Sequence, residues 1–221
     1  MYEVDVSSII NISHLDEQSS IMVCGHIFGR KEPWKDDMKL KGAIVNFIRL
    51  ADLAANEYEL GRNTITIYWA NKRDFSFIRA SSHFETCITA THRAIRHLKL
   101  IGIYPGLLPN FIPILPHTPR VLSGDGDHEI EEMRNAIQHL EERVLEMGFA
   151  LKNPNRFPPI RADESTTLHV RGDEHMRENV SVQVIDRVEL GSHRIYFMDL
   201  ARWLTELHGY AYSLASALTH S

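Results

Sequence analysis

The stretch Asp127–Gly148, DHEIEEMRNAIQHLEERVLEMG, carries the most regular helical pattern in the chain. Its apolar residues recur at alternating spacings of three and four: Ile130, Met133, Ile137, Leu140, Val144 and Met147. That period places them on one stripe of an α-helix. Asp127 is a typical N-cap residue, and Gly148 is a typical residue at a helix C-terminus. The stretch is therefore predicted to be an amphipathic helix that buries its apolar stripe against neighbouring helices.

Three other segments have the same kind of pattern. In the first, apolar residues from Leu40 to Tyr58 follow the helical period, and Gly61 is predicted to end the helix. The second opens with Ser82-His83-Phe84-Glu85, a capping-box sequence, and the last begins near Asp199. The four predicted helices cover residues 36–60, 82–101, 128–148 and 199–218. Four amphipathic helices predict an up-and-down four-helix bundle.

Short segments between the helices favour β-structure. Thr64–Trp69 (TITIYW) and Val182–Ile185 are rich in β-branched and aromatic residues. Arg187–Leu190 and Arg194–Phe197 flank the dipeptide Gly191-Ser192, which suits a hairpin turn. The predicted fold class is therefore mainly α, a helical bundle with a small β-hairpin appendage, in a single domain spanning residues 1–221.

Two segments are predicted to be irregular. Residues 103–119 hold five prolines among apolar residues, a composition that excludes helix and favours burial. We interpret this segment as an extended proline-rich strap over the bundle. Residues 152–178 are more polar and show no period, so they are predicted to form the most mobile internal loop.

Composition limits the classes of function. The chain has 221 residues, 43% of them hydrophobic, which suffices for one substantial core. A formal net charge of -5, with acids and bases mixed along the chain, gives no global attraction to nucleic acid, so RNA binding would need a local patch. Cys24 and Cys87 are far apart and outside any CxxC spacing. With no leader and no membrane-length apolar run, these features predict a cytoplasmic protein without membrane association.

Several common catalytic classes lack their motifs. The sequence contains no Walker loop, no GxGxxG and no GxSxG. No histidine has Glu three residues before it, as a di-metal bundle would require, and HExxH spacing is also missing. We therefore expect no metal and no cofactor.

The first-quoted helix also carries a polar stripe. At about 100° per residue, Asn135 and His139 point roughly 160° away from Ile137, the centre of the apolar stripe. Glu131 lies one turn before Asn135, and Arg134 lies between this stripe and the buried face. Such a stripe is usually solvated surface, and the residue types alone do not exclude that interpretation.

Arg134-Asn135 followed by His139 resembles the motif of the HEPN superfamily (higher eukaryotes and prokaryotes nucleotide-binding). In that superfamily Arg, a polar residue and then His after four to six intervening residues mark a metal-independent RNase site on a small helical bundle. Two other pairs, Arg187 with His193 and Arg202 with His208, have a comparable spacing. Only Arg134 is followed by Asn and lies early on the best-patterned helix. The resemblance covers the bundle and leaves the N-terminal segment, the strap and the β appendage unexplained.

The resemblance implies catalytic roles for Arg134, Asn135 and His139. In attack of an RNA 2′-hydroxyl on its own phosphate, His139 would accept the proton and Arg134 would stabilise the phosphorane charge. Asn135 would orient the imidazole or bind the phosphate. Glu131 would orient Asn135 or Arg134. The acids around the motif repel phosphates, so a nuclease needs cations from elsewhere in the same cleft.

Arg134 and His139 are about 140° apart on one helix, so one protomer converges them poorly on a phosphate. A homodimer with two stripes meeting at a twofold axis would create a composite site, as the resemblance also implies. The expected partners are RNA and, for the RNase toxin of a toxin–antitoxin or phage-defence pair, a cognate antitoxin. The alternatives are a non-catalytic HEPN-like module that binds a nucleotide or a protein, and a helical scaffold with a solvated polar face.

Overall fold

The computed structural model describes residues 2–18, 38–71, 74–102, 120–123, 126–152, 168–177 and 180–220. This part of the chain is mainly helical with small β-sheets, as predicted. It contains four long helices and one short one: α1 (Met38–Asn71), α2 (Asp74–Gly102), α3 (Arg120–Ser123), α4 (Gly126–Lys152) and α5 (Phe197–His220). A 3-10 turn at Ser13–Leu15 precedes them. Each predicted helix is present. The predicted strap, residues 103–119, lies outside the described residues.

An aromatic cluster joins three of the helices at the centre of the core. Tyr58 of α1, Phe84 of α2 and Phe197 of α5 are fully buried. Their ring centroids are 6.1 Å apart for Tyr58 and Phe84, 6.3 Å for Tyr58 and Phe197, and 4.9 Å for Phe84 and Phe197. Aromatic pairs at these distances contribute about 0.5–1.5 kcal/mol each beyond their area burial. The cluster therefore fixes α5 against the hairpin formed by α1 and α2.

The prediction that α1 ends at Gly61 is wrong, and so is the β prediction for Thr64–Trp69, because α1 continues to Asn71. Gly61 serves close packing: a Cβ atom there would lie 3.0 Å from the ring of Phe84. Ile65, one turn further, is fully buried. Burial against α2 outweighs the weak strand preference of this β-branched segment.

The helix α2 also begins earlier than predicted. It starts at Asp74, so Ser82 lies inside the helix and does not cap it. The hydroxyl of Ser82 instead donates to the backbone oxygen of Ile78 at 3.2 Å, which is a common arrangement for serine in a helix interior. The capping-box interpretation of residues 82–85 is therefore wrong, although the helix itself is confirmed.

The β-structure forms two small three-stranded sheets. The strands are β1 (Tyr2–Asp5), β2 (His169–Arg171), β3 (Glu174–Arg177), β4 (Val180–Val184), β5 (Arg187–Leu190) and β6 (His193–Tyr196). One sheet has the order β1-β4-β3, with β1 parallel to β4, and the other has the order β2-β5-β6. The predicted hairpin is confirmed as β5 and β6, and Gly191 in its turn has a φ of 59°, a conformation that glycine adopts without strain. The strand prediction for Val182–Ile185 corresponds to β4.

The predicted mobile loop at residues 152–178 is wrong for its C-terminal part, which contains β2 and β3. These strands pair with β5 and β4 and have no periodic pattern of their own. Arg187 at the start of β5 helps to hold them. Its guanidinium donates to Asp173 at 3.0 Å, to Asp186 at 3.0 Å and to Glu189 at 2.6 Å. Such pairing across the chain cannot be seen in a local sequence window.

The N-terminal segment is fixed against α1 by polar contacts. The buried carboxylate of Glu59 accepts a hydrogen bond from the backbone N–H of Ile12 at 2.5 Å, and Arg62 Nε donates to the backbone oxygen of Ile9 at 3.1 Å.

No described helix combines the length and the apolar character that crossing a membrane requires.

Candidate functional site

The four predicted site residues all lie on α4, where the helix passes α2. Arg134 and Asn135 are half-buried, whereas Glu131 and His139 are exposed. Arg134 Nη1 donates a hydrogen bond to Asn135 Oδ1 at 3.0 Å. The structure therefore brings Arg134 and Asn135 together and holds the guanidinium in place through the amide. His139 is five residues further on and about 140° away around the helix axis.

The orientation of α4 is set by its apolar stripe. Ile130 and Met133 are fully buried, and Ile137 packs against the same core at its edge. Arg134 follows directly after a core position, which explains why it is half-buried. The predicted orientation of the polar stripe therefore holds for His139, which is exposed, and less strictly for Asn135, which is half-buried.

Helix α2 runs antiparallel beside α4 and adds charged residues to the site. Lys99 near the end of α2 forms an ion pair with Asp127 near the start of α4. About two turns earlier on α2, His92 lies within electrostatic reach of Arg134 and Glu131. This packing places an imidazole from a second helix beside the motif.

His92 is held in its neutral form. Its side chain is only 6% exposed, and its Nδ1 has no hydrogen-bond partner among the described residues. Burial lowers the pKa of His92, and the positive charges of Arg134 and then Arg96 lower it further, while Glu131 and Asp127 oppose them. Since the ordinary pKa of histidine is about 6.5, His92 is uncharged at neutral pH. A neutral imidazole is a proton acceptor.

Helix α2 also brings positive charge to this site. Arg96 is exposed, and its charge acts on the same imidazole as the charge of Arg134. Within the described part of the chain, neither guanidinium forms an ion pair with a carboxylate. These two positive charges and the negative charge of Glu131 act on the same imidazole, so the local potential is more positive than the sequence of α4 alone suggests.

Sequence analysis did not find His92 and Arg96. A signal was present, because His92, Arg96 and Lys99 recur at helical spacing and so form a polar row along one face of α2. Their relation to Arg134 depends on how α2 packs against α4, and no pattern within either helix specifies that register.

The two competing Arg and His pairs do not form comparable sites. The guanidinium of Arg187 binds three carboxylates. Arg202 is exposed and pairs with Asp199 at 3.3 Å, whereas His208 is only 1% exposed. Neither pair offers an available cation together with an accessible imidazole. The Arg134 motif is the better candidate of the three.

The candidate metal ligands of the described residues are dispersed. Nowhere in the described ranges do three or more His, Cys, Asp or Glu side chains form a group that could hold a metal ion. The carboxylate of Glu132 lies between two imidazoles, 3.2 Å from His128 Nε2 and 3.6 Å from His193 Nδ1. The contact with His193 connects α4 to the hairpin of β5 and β6.

Comparison with known proteins finds no match: no family model, no curated protein and no solved structure matches this chain. The resemblance to the HEPN superfamily therefore depends on the Arg134, Asn135 and His139 motif and on the helical bundle.

Proposed function

We propose that this protein is a metal-independent endoribonuclease of HEPN type that acts in the cytoplasm as a homodimer. The observation that supports this most is the cluster on α2 and α4. There, two arginines without carboxylate partners among the described residues, Arg96 and Arg134, surround the neutral imidazole of His92. Two cations beside a neutral imidazole suit the binding of a phosphate, and His139 of the motif supplies the proton acceptor. The biological role proposed is that of the toxin in a toxin–antitoxin or phage-defence pair, with a cognate antitoxin as partner.

The residues divide the reaction between them. The RNA 2′-hydroxyl attacks its own phosphate, and His139, the exposed histidine of the motif, accepts the proton. Arg134 binds the phosphorane oxygens, and Asn135 positions the guanidinium through the 3.0 Å hydrogen bond. The cationic charge of Arg96 attracts the RNA backbone and offsets Glu131.

The angle between Arg134 and His139 about the axis of α4 favours a composite site. One helix presents these residues about 140° apart, so Arg134 of one protomer would meet His139 of a second protomer across a twofold axis. The exposed position of His139 is compatible with such an arrangement. Glu131 lies on the same exposed side of α4 and would support Arg134 or Asn135 by direct contact.

A second candidate is a non-catalytic module that binds a nucleotide or a protein. It is favoured by the same geometry, because Arg96 and Arg134 can bind a phosphate without any contribution from His139. In that case the substitution of His139 would leave ligand binding unchanged, and the protein would not cleave RNA.

The test is cleavage of single-stranded RNA by the purified protein in EDTA. His139→Ala should lower the rate about 10²–10⁴-fold, the usual contribution of one general acid–base group. His128→Ala is the matched control, because His128 lies on the same helix and is also exposed. Intact RNA at high concentrations of the wild-type protein, or an equal rate for His139→Ala, would refute the nuclease proposal.

Mixing two inactive variants tests the composite site. A heterodimer of Arg134→Ala and His139→Ala contains one intact pair if the site spans two protomers. Random mixing in equal amounts should then restore about a quarter of wild-type activity, since about half of the dimers have one of two sites intact. If Arg134 and His139 act within one protomer, mixing restores nothing.

A further inference from the structure

A second group of cations lies on the other side of α2, towards α1. It consists of Arg93 and Arg96 on α2 and Arg49 on α1, all exposed, around the half-buried His97. None of these residues belongs to the motif on α4. Arg96 lies between the two sides, because its charge acts on both His92 and His97.

The pairing of α1 with α2 explains why Arg49 reaches this group. The two helices form a hairpin in which Glu57 Oε2 lies 2.7 Å from His83 Nδ1. Arg49 lies about two turns before Glu57, and Arg93 lies between two and three turns after His83. In an antiparallel pair these positions are neighbours. The register therefore places Arg49 near Arg93, and the charge of Arg49 also acts on His97.

The electrostatic environment of His97 contains only positive contributions. Burial lowers the pKa of His97, and Arg93, Arg49 and Arg96 lower it further in that order. No carboxylate is among the causes of this shift. The Nδ1 atom of His97 is buried and has no hydrogen-bond partner there either.

Three other described arginines are paired with carboxylates. Arg62 pairs with Glu59, Arg202 with Asp199, and Arg187 with three acids. In contrast, Arg49, Arg93 and Arg96 form no ion pair with any described residue. Three like charges in one patch repel one another, and an anion that binds there removes this repulsion. Guanidinium groups match the geometry of phosphate oxygens.

We propose that Arg49, Arg93 and Arg96 form a second anion site, which adjoins the motif site at Arg96, and that this second site binds a phosphate group. The phosphate belongs either to a small molecule or to the backbone of a nucleic acid. The site does not depend on catalysis, so it would exist in a binding protein as well as in a nuclease.

His97 provides the readout, because a bound anion stabilises its protonated form. The ring signals of His97 are followed by NMR across pH, with inorganic pyrophosphate as one probe and a single-stranded 2′-O-methyl oligonucleotide as the other. The oligonucleotide lacks the attacking hydroxyl, so it stays intact whether or not the protein is a nuclease. Binding should raise the pKa of His97 by on the order of one unit. A response to pyrophosphate identifies a site for small phosphates, and a response to the oligonucleotide alone identifies a backbone site.

The double substitution Arg49→Ala and Arg93→Ala should abolish the pyrophosphate response. For the oligonucleotide it should reduce the slope of log affinity against log salt by about 1.4, since each lost contact with single-stranded nucleic acid accounts for about 0.7. Arg202→Ala, which removes an exposed arginine on α5, is the control. Circular dichroism verifies the folding of each variant. The proposal is overturned if neither probe changes the titration of His97, or if the double variant binds like the wild type.

Discussion

Arg187 and Arg134 show how differently one residue type is used in two regions of this molecule. Arg187 at the sheet end is neutralised by Asp173, Asp186 and Glu189, and the hydrogen bonds that it donates to Asp173 and then Glu189 raise its pKa. Arg134 on α4 has only the neutral amide of Asn135 as a hydrogen-bond partner among the described residues. A neutralised arginine contributes to structure, whereas an arginine without a counter-ion keeps its charge available for a ligand.

The largest expected effect is on RNA cleavage, which should distinguish the substitution of Arg134 from that of Arg187. Arg134→Ala should lower RNA cleavage about 10²–10³-fold, the loss that follows removal of one group that stabilises transition-state charge. Its melting temperature should change little, because half-exposed substitutions away from the core have small effects on stability. Arg187→Ala should cleave at the wild-type rate at a temperature at which it is folded. Equal losses of activity in both variants would contradict the comparison.

The second prediction concerns stability, on which the substitution of Arg187 should have a larger effect than that of Arg134. Arg187→Ala removes three ion pairs, two with the partly buried carboxylates of Asp186 and Glu189 and one with the exposed carboxylate of Asp173. A loss of about 2 kcal/mol is expected when charged groups lose hydrogen bonds of this kind. For a chain of this size the melting temperature should fall by about 4–8 °C. Differential scanning calorimetry measures this fall, and Arg202→Ala, whose ion pair is exposed, should show almost none.

The two regions also differ in how far the sequence predicts them. The four helices were predicted from their apolar stripes, and the hairpin from its turn, because both signals are local. The strands β2 and β3 were missed because their stability comes from pairing with distant segments. The extension of α1 through Thr64–Trp69 was missed because packing against α2, and not local preference, determines the conformation there.

The same limit applies to the candidate site. Arg134 and Asn135 are adjacent in sequence, and their hydrogen bond needs only the helix. His92 and Arg96 join them because α2 packs antiparallel to α4, with Lys99 opposite Asp127. Sequence analysis could find the motif and the need for additional cations. It could not find which residues supply them, because that depends on the register between two helices.

The third prediction uses pH to test the cationic surroundings of His92. Its pKa is lowered in the folded state by burial and by Arg134, so the unfolded chain binds more protons below the ordinary histidine pKa of about 6.5. The stability contributed by His92 is therefore fully present above that pH and is lost as the pH falls towards the lowered value. His92→Gln should reduce the loss of stability between pH 7 and pH 5 in urea unfolding experiments. His128→Gln is the exposed control and should follow the wild type. An unchanged slope in His92→Gln would contradict a lowered pKa of His92 in the folded state.

The smallest effect is expected for the substitution His208→Leu. His208 is a buried histidine whose ring atoms lack hydrogen-bond partners among the described residues, and no arginine is involved. Its side chain is 1% exposed, both ring nitrogens lack hydrogen-bond partners among the described residues, and the nearest carboxylate oxygen, on Asp52, is 3.8 Å away. A buried polar group without a hydrogen bond costs about 1–3 kcal/mol, so His208→Leu should be neutral or stabilising by up to about 1 kcal/mol. Thermal unfolding should then shift upward by about 2–4 °C at most, and RNA cleavage should not change. His208→Ala, which leaves a cavity, should instead lower stability by about 2 kcal/mol or more. A large loss of stability in His208→Leu would show that the ring makes a polar interaction with Asp52. A loss of cleavage in the same variant would indicate that the imidazole of the site is His208 on α5 and not His139 on α4.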